Sequence, residues 1–188
     1  MKKLMMVCLG VMLLLNHAYG FNNERRGFVL GLGGAYHGTT LSPTGGSDVS
    51  QNGFVSSVKI GGGINEHVLL YYVREAAWFN QKNSTLGSDI YVSGISGLGV
   101  SYYLQDEENE STMFPFYSTG ALGLADYGKL GSFSSVDYGA GFLLGVGYEI
   151  KKHFSVEGKL MSTRIDADYS NVDIDITSYM LTFNYLWY

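Results

Sequence analysis

A cluster of four aspartates near the end of the chain has the composition of a cation site. These residues are Asp166, Asp168, Asp173 and Asp175. If the chain turns back with Asp168 opposite Asp173, all four carboxylates lie on one face of a hairpin. Like charges opposite each other destabilise a sheet, and carboxylate oxygens are ligands that Ca²⁺ and Mg²⁺ prefer. The cluster therefore predicts a weak cation-bridged contact. The alternative is an acidic, solvated tip that Arg164 and Lys129 counter.

A second set of charged residues alternates with apolar ones and shares its face with small or polar residues. This set is Lys59, Glu75, Glu149, Glu157 and Lys159. Charged groups inside a protein must pair because burying an isolated charge is costly. Placing Ile64 opposite Val68 across a turn makes Lys59 and Glu75 diagonal neighbours. We expect these residues to form a salt-bridged plug in an interior, with an ion path as the alternative.

The residue types and their spacing give little support for a transition-metal site, a phosphate-binding loop or a cofactor site. No histidine–cysteine cluster has the spacing of metal ligands, and the only cysteine is Cys8. The glycine-rich segments precede no helical pattern, so they are not phosphate-binding loops. His37 stands alone near Thr39 and Thr40 and is interpreted as an interface residue. The sequence therefore predicts no cofactor.

The elements that must position these groups are β-strands, and the last ten residues show this best. Every second side chain there is bulky and apolar, in the order Tyr179, Leu181, Phe183, Tyr185 and Trp187. Alternation with period 2 indicates a strand with one apolar face. In water such a strand would promote aggregation at a sheet edge. We expect it instead to close a barrel, with this face toward lipid.

Eight alternating segments can be counted along the chain. They cover residues 27–37, 53–64, 68–79, 89–104, 113–125, 138–150, 154–168 and 172–187. The longest gap, residues 38–52, is predicted to be an external loop. The pattern predicts an all-β fold: an eight-stranded antiparallel transmembrane β-barrel with up-and-down topology and both termini periplasmic.

Two turns give independent predictions of register for the seventh strand. Ile150 opposite Phe154 places Tyr148 against Val156, whereas Asp168 opposite Asp173 places Gly158 against Phe183. Both put the even-numbered residues of the strand on the lipid side, and a slip of one residue would reverse every face. The same scheme points Arg74 at lipid, which costs about 2–4 kcal/mol at the midplane. Either an outer headgroup position or a β-bulge would resolve this cost.

The start of the chain has the pattern of a secretory signal peptide. Lys2 and Lys3 precede an apolar run and a small-residue stretch ending at Gly20, which predicts cleavage after residue 20. An uncleaved anchor is the alternative, but the run is short for a span of about 20 residues. Loss of two lysines changes the net charge from −5 to −7 for the domain at residues 21–188. A chain this acidic is not expected to bind nucleic acid.

At this point the sequence resembles a known group of proteins. The resemblance rests on the segments GFVLGLGG (27–34) and GFLLGVGYEI (141–150), the leader and the aromatic terminus. These resemble the OmpA/OmpX-like "porin family" barrel domains of the outer membrane in Gram-negative bacteria. The resemblance implies export to that membrane, with lipopolysaccharide and other outer-membrane lipids as neighbours. It also implies folding by the barrel-assembly machinery, which reads a terminal aromatic residue, here Tyr188.

Three functions remain in competition. The first is a structural or surface-interaction protein whose external loops meet an unidentified ligand, and we expect this one, without enzymatic activity. The second is a small porin-like pore for ions or small solutes. The third follows from the resemblance, because one lipid A deacylase of this fold uses a His–x–Ser pair and a Glu. His153, Ser155 and Glu157 have that spacing, but our topology places them on the periplasmic side or inside the barrel.

Overall fold

The chain folds into a closed barrel of eight antiparallel strands, which confirms the predicted architecture. Each strand pairs with its sequence neighbours, and β1 pairs with β8 to close the sheet. The strands are β1 (Gly27–Pro43), β2 (Val49–Gly63), β3 (Val68–Asn83), β4 (Gly87–Gln105), β5 (Met113–Lys129), β6 (Val136–Lys151), β7 (Phe154–Ala167) and β8 (Val172–Trp187).

The computed structural model describes residues 26–65, 67–83, 87–105, 113–131, 136–151, 153–167 and 172–188. The predicted signal peptide at residues 1–20 lies outside these ranges, and so does Asp168. No helix among the described residues is long and apolar enough to cross a membrane. We call the barrel end that holds Gly27 and Trp187 the terminus end, and the opposite end the loop end.

The first two strands are longer than predicted, so the prediction of a long loop at residues 38–52 is wrong. β1 continues to Pro43 and β2 begins at Val49, which leaves a connection of five residues, 44–48. The extension is stable because it has partners on both sides: Leu41 pairs with Val49 of β2 and with Ile176 of β8. The wall of the barrel therefore rises through the region that we had assigned to a loop.

The register of β6 with β7 agrees with the prediction over most of its length, with Tyr148 opposite Val156. A shift between Glu149 and Lys151 places Lys151, rather than Ile150, opposite Phe154. The even-numbered residues of β7 still face outward, because the pairs beyond this irregularity follow the predicted register.

The predicted register of β7 with β8 is wrong by two residues. Asp173 lies opposite Asp166 rather than Asp168, and Gly158 lies opposite Leu181 rather than Phe183. The observed register places Arg164 directly opposite Asp175, and opposite charges across a ladder stabilise a sheet. An even shift leaves each residue on the same face, so the predicted orientation of the strand still holds.

Two facing glycines bring β4 and β5 close together inside the barrel. Gly97 pairs with Gly123, and a Cβ on Gly97 would lie 2.6 Å from the Gly123 Cα. We expect Gly97→Ala to lower the free energy of unfolding by about 1–3 kcal/mol, because the backbone must shift. Gly158→Ala is the matched control, since a Cβ there meets nothing within 4 Å.

This prediction is measured by urea unfolding of the two variants in detergent micelles, followed by tryptophan fluorescence. The control should keep at least the stability of the unsubstituted protein, because alanine suits a strand better than glycine does. Equal stability of both variants would contradict the close approach of β4 and β5.

Candidate functional site

The centre of the barrel holds two lysines and two glutamates in one connected ion network, which we call the ion quartet. It consists of Lys59, Glu75, Glu157 and Lys159. Lys59 Nζ lies 2.5 Å from Glu157 Oε1, and Lys159 Nζ lies 2.5 Å from Glu75 Oε1. Lys159 also reaches Glu157 Oε2 at 3.1 Å. The four charges sum to zero, and each of the four side chains is buried.

Neutral hydroxyl groups donate further hydrogen bonds to the carboxylates of the ion quartet. Ser57 Oγ donates to Glu75 Oε1 at 2.9 Å, and the Tyr117 hydroxyl donates to Glu157 Oε1 at 2.7 Å. The Lys59 ammonium lies 5.2 Å from the centre of the Tyr71 ring, a distance suited to a cation–π contact. A buried polar network needs such partners, because a charge left unpaired is costly.

The structure separates Glu149 from the other four predicted interior charges. Glu149 Oε1 accepts a hydrogen bond from the Tyr188 hydroxyl at 2.9 Å, near the terminus end. The predicted diagonal relation of Lys59 and Glu75 holds in the ladder, where Lys59 pairs with Val73. Their salt bridges nevertheless go to β7, on the other side of the interior, through Glu157 and Lys159.

Apolar and aromatic side chains cover the ion quartet at both ends. Toward the terminus end, the rings of Tyr103 and Tyr117 stack with their centroids 4.5 Å apart. Toward the loop end, Phe79 stacks on both Tyr91 and Tyr127 with centroids 6.4 Å away. This second layer belongs to a buried apolar cluster of Leu41, Phe79, Ala125, Ile165 and Ile176. The described interior is therefore filled with side chains.

A buried polar layer that the sequence analysis did not predict lies just below the apolar cluster. His37 Nδ1 lies 2.6 Å from Thr39 Oγ1, and Thr39 Oγ1 lies 2.7 Å from Ser178 Oγ. His37 Nε2 donates to the carbonyl oxygen of Trp78 at 3.2 Å. His37 is fully buried, so the structure gives it an interior position rather than the expected interface one. The alternation of β1 contained this signal, because His37 follows Ala35 on the inward phase.

The residues with the spacing of the deacylase pair do not converge on one external site. His153 lies in the turn before β7, with Nδ1 2.8 Å from the Leu186 carbonyl oxygen and its ring 4.6 Å from that of Tyr188. Ser155 points inward, with its Oγ 2.8 Å from the Tyr117 hydroxyl oxygen. Glu157 forms salt bridges with Lys59 and Lys159 inside the ion quartet. The histidine and the other two side chains thus have separate structural partners.

The described aspartates of the last hairpin, Asp166, Asp173 and Asp175, lie on the outward phase of β7 and β8, beyond the apolar part of the wall. Asp166 pairs with Asp173 in the ladder, and Asp175 Oδ1 accepts a hydrogen bond from Arg164 Nε at 3.0 Å. This bond raises the pKa of Arg164. No group of three metal-ligating side chains occurs among the described residues. Asp168 lies outside them, so the four-residue cation site stays a prediction.

The outer wall of the barrel is built from exposed apolar side chains. On β8 these include Tyr179, Leu181, Phe183 and Trp187, while Tyr185 is half-buried and packs edge-to-face on Phe154 and on Trp187. Arg74 is on the same outer wall, and no register shift occurs near it in the pairing of β3 with β2 or β4. The bulge that we had considered is therefore absent at this position. Arg74 instead pairs with Asp126 of β5.

Comparison with known proteins gives a likeness in structure alone. No protein-family model matches the chain, and no curated protein matches it in sequence. The crystal structure of Ail, the attachment invasion locus protein of Yersinia pestis, matches with a TM-score of 0.57 at 14% identity, over 86% of this chain and 99% of that chain.

Two further structures match at the same level. Ail in complex with the heparin analogue sucrose octasulfate gives a TM-score of 0.56 at 13% identity, over 86% of this chain and 99% of that one. Neisserial surface protein A (NspA) gives 0.56 at 15% identity, over 84% and 96%. The chain therefore has the fold of the small eight-stranded outer-membrane barrels of OmpA/OmpX-like type.

Proposed function

We propose that the protein is an integral outer-membrane barrel of a Gram-negative bacterium, with a structural or surface-interaction role and without a conducting pore. One observation carries this proposal: the barrel wall is apolar outside and encloses a neutral, paired ion quartet inside. Leu98, Leu122 and Leu124 are 76%, 72% and 70% exposed on the outer wall. Apolar surface of this extent marks a contact with lipid rather than with water.

The interior supports a role without conductance. An eight-stranded barrel has room for its own side chains and little else. A continuous water path through this barrel would have to break the salt bridges of Lys59 and Lys159, both of which are at most 4% exposed. It would also have to displace the stacked rings on either side. A small porin-like pore is therefore the weaker candidate.

The orientation in the membrane is part of the same proposal. We place both termini in the periplasm and the loop end outside the cell, after removal of residues 1–20 as a signal peptide. The apolar wall of β1 ends near Tyr36, yet β1 continues to Pro43 and stays paired on both sides as far as Leu41. This projecting part of the barrel is the surface that we assign to an external partner. Insertion would use the barrel-assembly machinery, with the C-terminal strand β8 and the aromatic residue that follows it, Tyr188, as its signal.

The charge of the loop end indicates the class of partner. Its six described aspartates outnumber its three cations, Lys82, Lys129 and Arg164, and two of these cations pair: Lys129 with Asp89 at 2.9 Å and Arg164 with Asp175 at 3.0 Å. The six aspartates are Asp48, Asp89, Asp137, Asp166, Asp173 and Asp175. Ail has been crystallised with a heparin analogue, but an acidic rim would repel such a polyanion. We infer a cationic partner, or one bridged by divalent cations.

Single-channel recording tests this function directly. We expect the refolded protein, residues 21–188, to run as a compact band that shifts on boiling and to give no conductance steps in a planar bilayer. A general porin in the same bilayer is the positive control. Steady ion-selective steps would show that the ion quartet does not close the interior and that the protein is a pore. The absence of a compact band would contradict the membrane barrel itself.

A further inference from the structure

An arginine is fixed across the lipid-facing wall of the barrel. Arg74 extends from β3 over β4, where Nη1 donates to Ser96 Oγ at 3.1 Å. On β5, Asp126 accepts hydrogen bonds from both Nη1 and Nη2, the second at 2.8 Å. Gly94 leaves room for this path, because a Cβ there would lie 3.0 Å from Arg74 Nη1. The guanidinium is thus held in one place, where a mobile side chain would otherwise turn away from lipid.

A small pocket beside this ion pair exposes two cationic side chains. Its volume is about 290 Å³, and its lining includes Arg74, Asp126 and Lys129. Arg74 pairs with Asp126 and Lys129 pairs with Asp89, so these four charges balance, but the two cationic side chains remain 30% and 43% exposed and can donate to a further group. The planar guanidinium of arginine matches the oxygens of a phosphate group. We call this space the phosphate pocket.

An apolar groove reaches the phosphate pocket along the wall. The groove has a volume of about 940 Å³, and Gly120 forms part of its floor between Leu98, Leu122 and Leu144. Ser96 lines this groove and also accepts a hydrogen bond from Arg74, so groove and pocket adjoin. From Gly120 to Asp126 the strand rises about 20 Å at roughly 3.3 Å per residue. The groove therefore has space for extended acyl chains below a polar headgroup.

We propose that this surface binds the lipid A part of lipopolysaccharide. A lipid A phosphate would sit in the phosphate pocket between Arg74 and Lys129, with acyl chains along the groove over Gly120. The inference rests on the proposed outer-membrane location, in which the loop end faces the leaflet that contains lipopolysaccharide.

The shape of the groove favours lipid A over a two-chain phospholipid. Residues from β3, β4, β5 and β6 line it, and four strands spaced about 4.8 Å apart span roughly 14 Å. A surface of that width accommodates several parallel chains, and lipid A joins several chains to one phosphorylated headgroup. The exposed cations of the pocket suit the phosphate, and the aspartates of the last hairpin lie on β7 and β8, which do not border β3, β4 or β5.

Native mass spectrometry of the refolded protein tests the proposal with three probes: bisphosphorylated lipid A, dephosphorylated lipid A and phosphatidylglycerol. We expect bisphosphorylated lipid A to bind most tightly, and removal of its phosphates to weaken binding about tenfold, since a charge-assisted hydrogen bond contributes at that level. In Arg74→Gln/Asp126→Asn, which leaves no unpaired charge, the difference in binding between the two forms of lipid A should become smaller, because only Lys129 remains to hold the phosphate. Gly120→Leu should weaken both forms by filling the groove.

Arg164→Gln is the matched control, because it removes an exposed cation at the loop end that does not line the groove or the pocket. It should leave lipid A binding unchanged. Equal binding of phosphatidylglycerol, or no effect of the phosphates in the unsubstituted protein, would overturn the inference. Every variant is first checked for the compact, heat-modifiable band. If the unsubstituted protein gives the compact band but does not bind lipid A, this site alone is disproved. If the unsubstituted protein does not give that band, the proposed membrane barrel is disproved.

Discussion

Replacing Glu157 with glutamine is expected to destabilise the barrel by about 3–5 kcal/mol, because it leaves a buried lysine without its counter-charge. Glu157 pairs with both Lys59 and Lys159 and accepts a hydrogen bond from Tyr117. The glutamine side chain keeps the volume but carries no charge. The expected result is therefore a net positive interior at a place that water does not reach. Urea unfolding in detergent micelles measures the change in free energy.

A double variant separates the loss of charge balance from the loss of packing. Lys59→Met/Glu157→Leu removes one ion pair and leaves Lys159 with Glu75, so the interior is neutral again. Replacing both members of a buried pair with apolar groups of similar size is close to neutral. We expect this double variant to recover most of the stability that Glu157→Gln loses.

Glu149→Gln is the matched control for the position of the charge. Glu149 is only half-buried and bonds to Tyr188 near the terminus end, so we expect a change of about 1 kcal/mol or less. If Glu149→Gln and Glu157→Gln had equal effects, the ion quartet would have no special place in the stability of the barrel.

The second large effect is expected on the outer wall. Leu122→Arg should lower the stability of the membrane-inserted barrel by about 2–4 kcal/mol, because arginine at the bilayer midplane is costly. Leu122 is 72% exposed and lies among other exposed apolar residues of β4, β5 and β6. The measurement is reversible folding into phospholipid vesicles, with tryptophan fluorescence as the readout.

Leu130→Arg provides the control at the rim of the same wall. Leu130 is 52% exposed just beyond β5, where an arginine costs about 0–1 kcal/mol. A clear difference between the two positions indicates that the wall crosses the hydrocarbon core. If both substitutions changed stability by less than about 0.5 kcal/mol, as exposed positions in water do, the wall would not face lipid.

The architecture was predictable because period-2 alternation continues through almost the whole chain. The alternation of β8 from Tyr179 to Trp187 fixes which face is apolar, and charged residues on the other phase then have to be inside. Residues 38–43 were harder to assign, because glycine and threonine carry little contrast in polarity. Their strand conformation depends on pairing with β2 and β8. The local sequence pattern does not reveal such pairing between distant strands.

Register and partner choice were less accessible to sequence reasoning. A shift of two residues preserves the faces of both strands, so alternation could not distinguish Asp166 from Asp168 as the partner of Asp173. The alternation does identify Lys59, Glu75, Glu157 and Lys159 as inward residues. It cannot show that Lys59 selects Glu157 across the interior, because that choice depends on how the closed barrel brings β2 and β7 together.

The ion quartet also has a consequence for the rates at which the barrel folds and unfolds. Lys59 is 98 residues from Glu157, and Lys159 is 84 residues from Glu75. Neither pair can form until the sheet curls and brings β2 and β3 to face β7, so we expect both pairs to form late in folding. Interactions that form after the transition state slow unfolding and leave the folding rate nearly unchanged. We therefore expect the ion quartet to lengthen the lifetime of the finished barrel and to leave the speed of its assembly nearly unchanged.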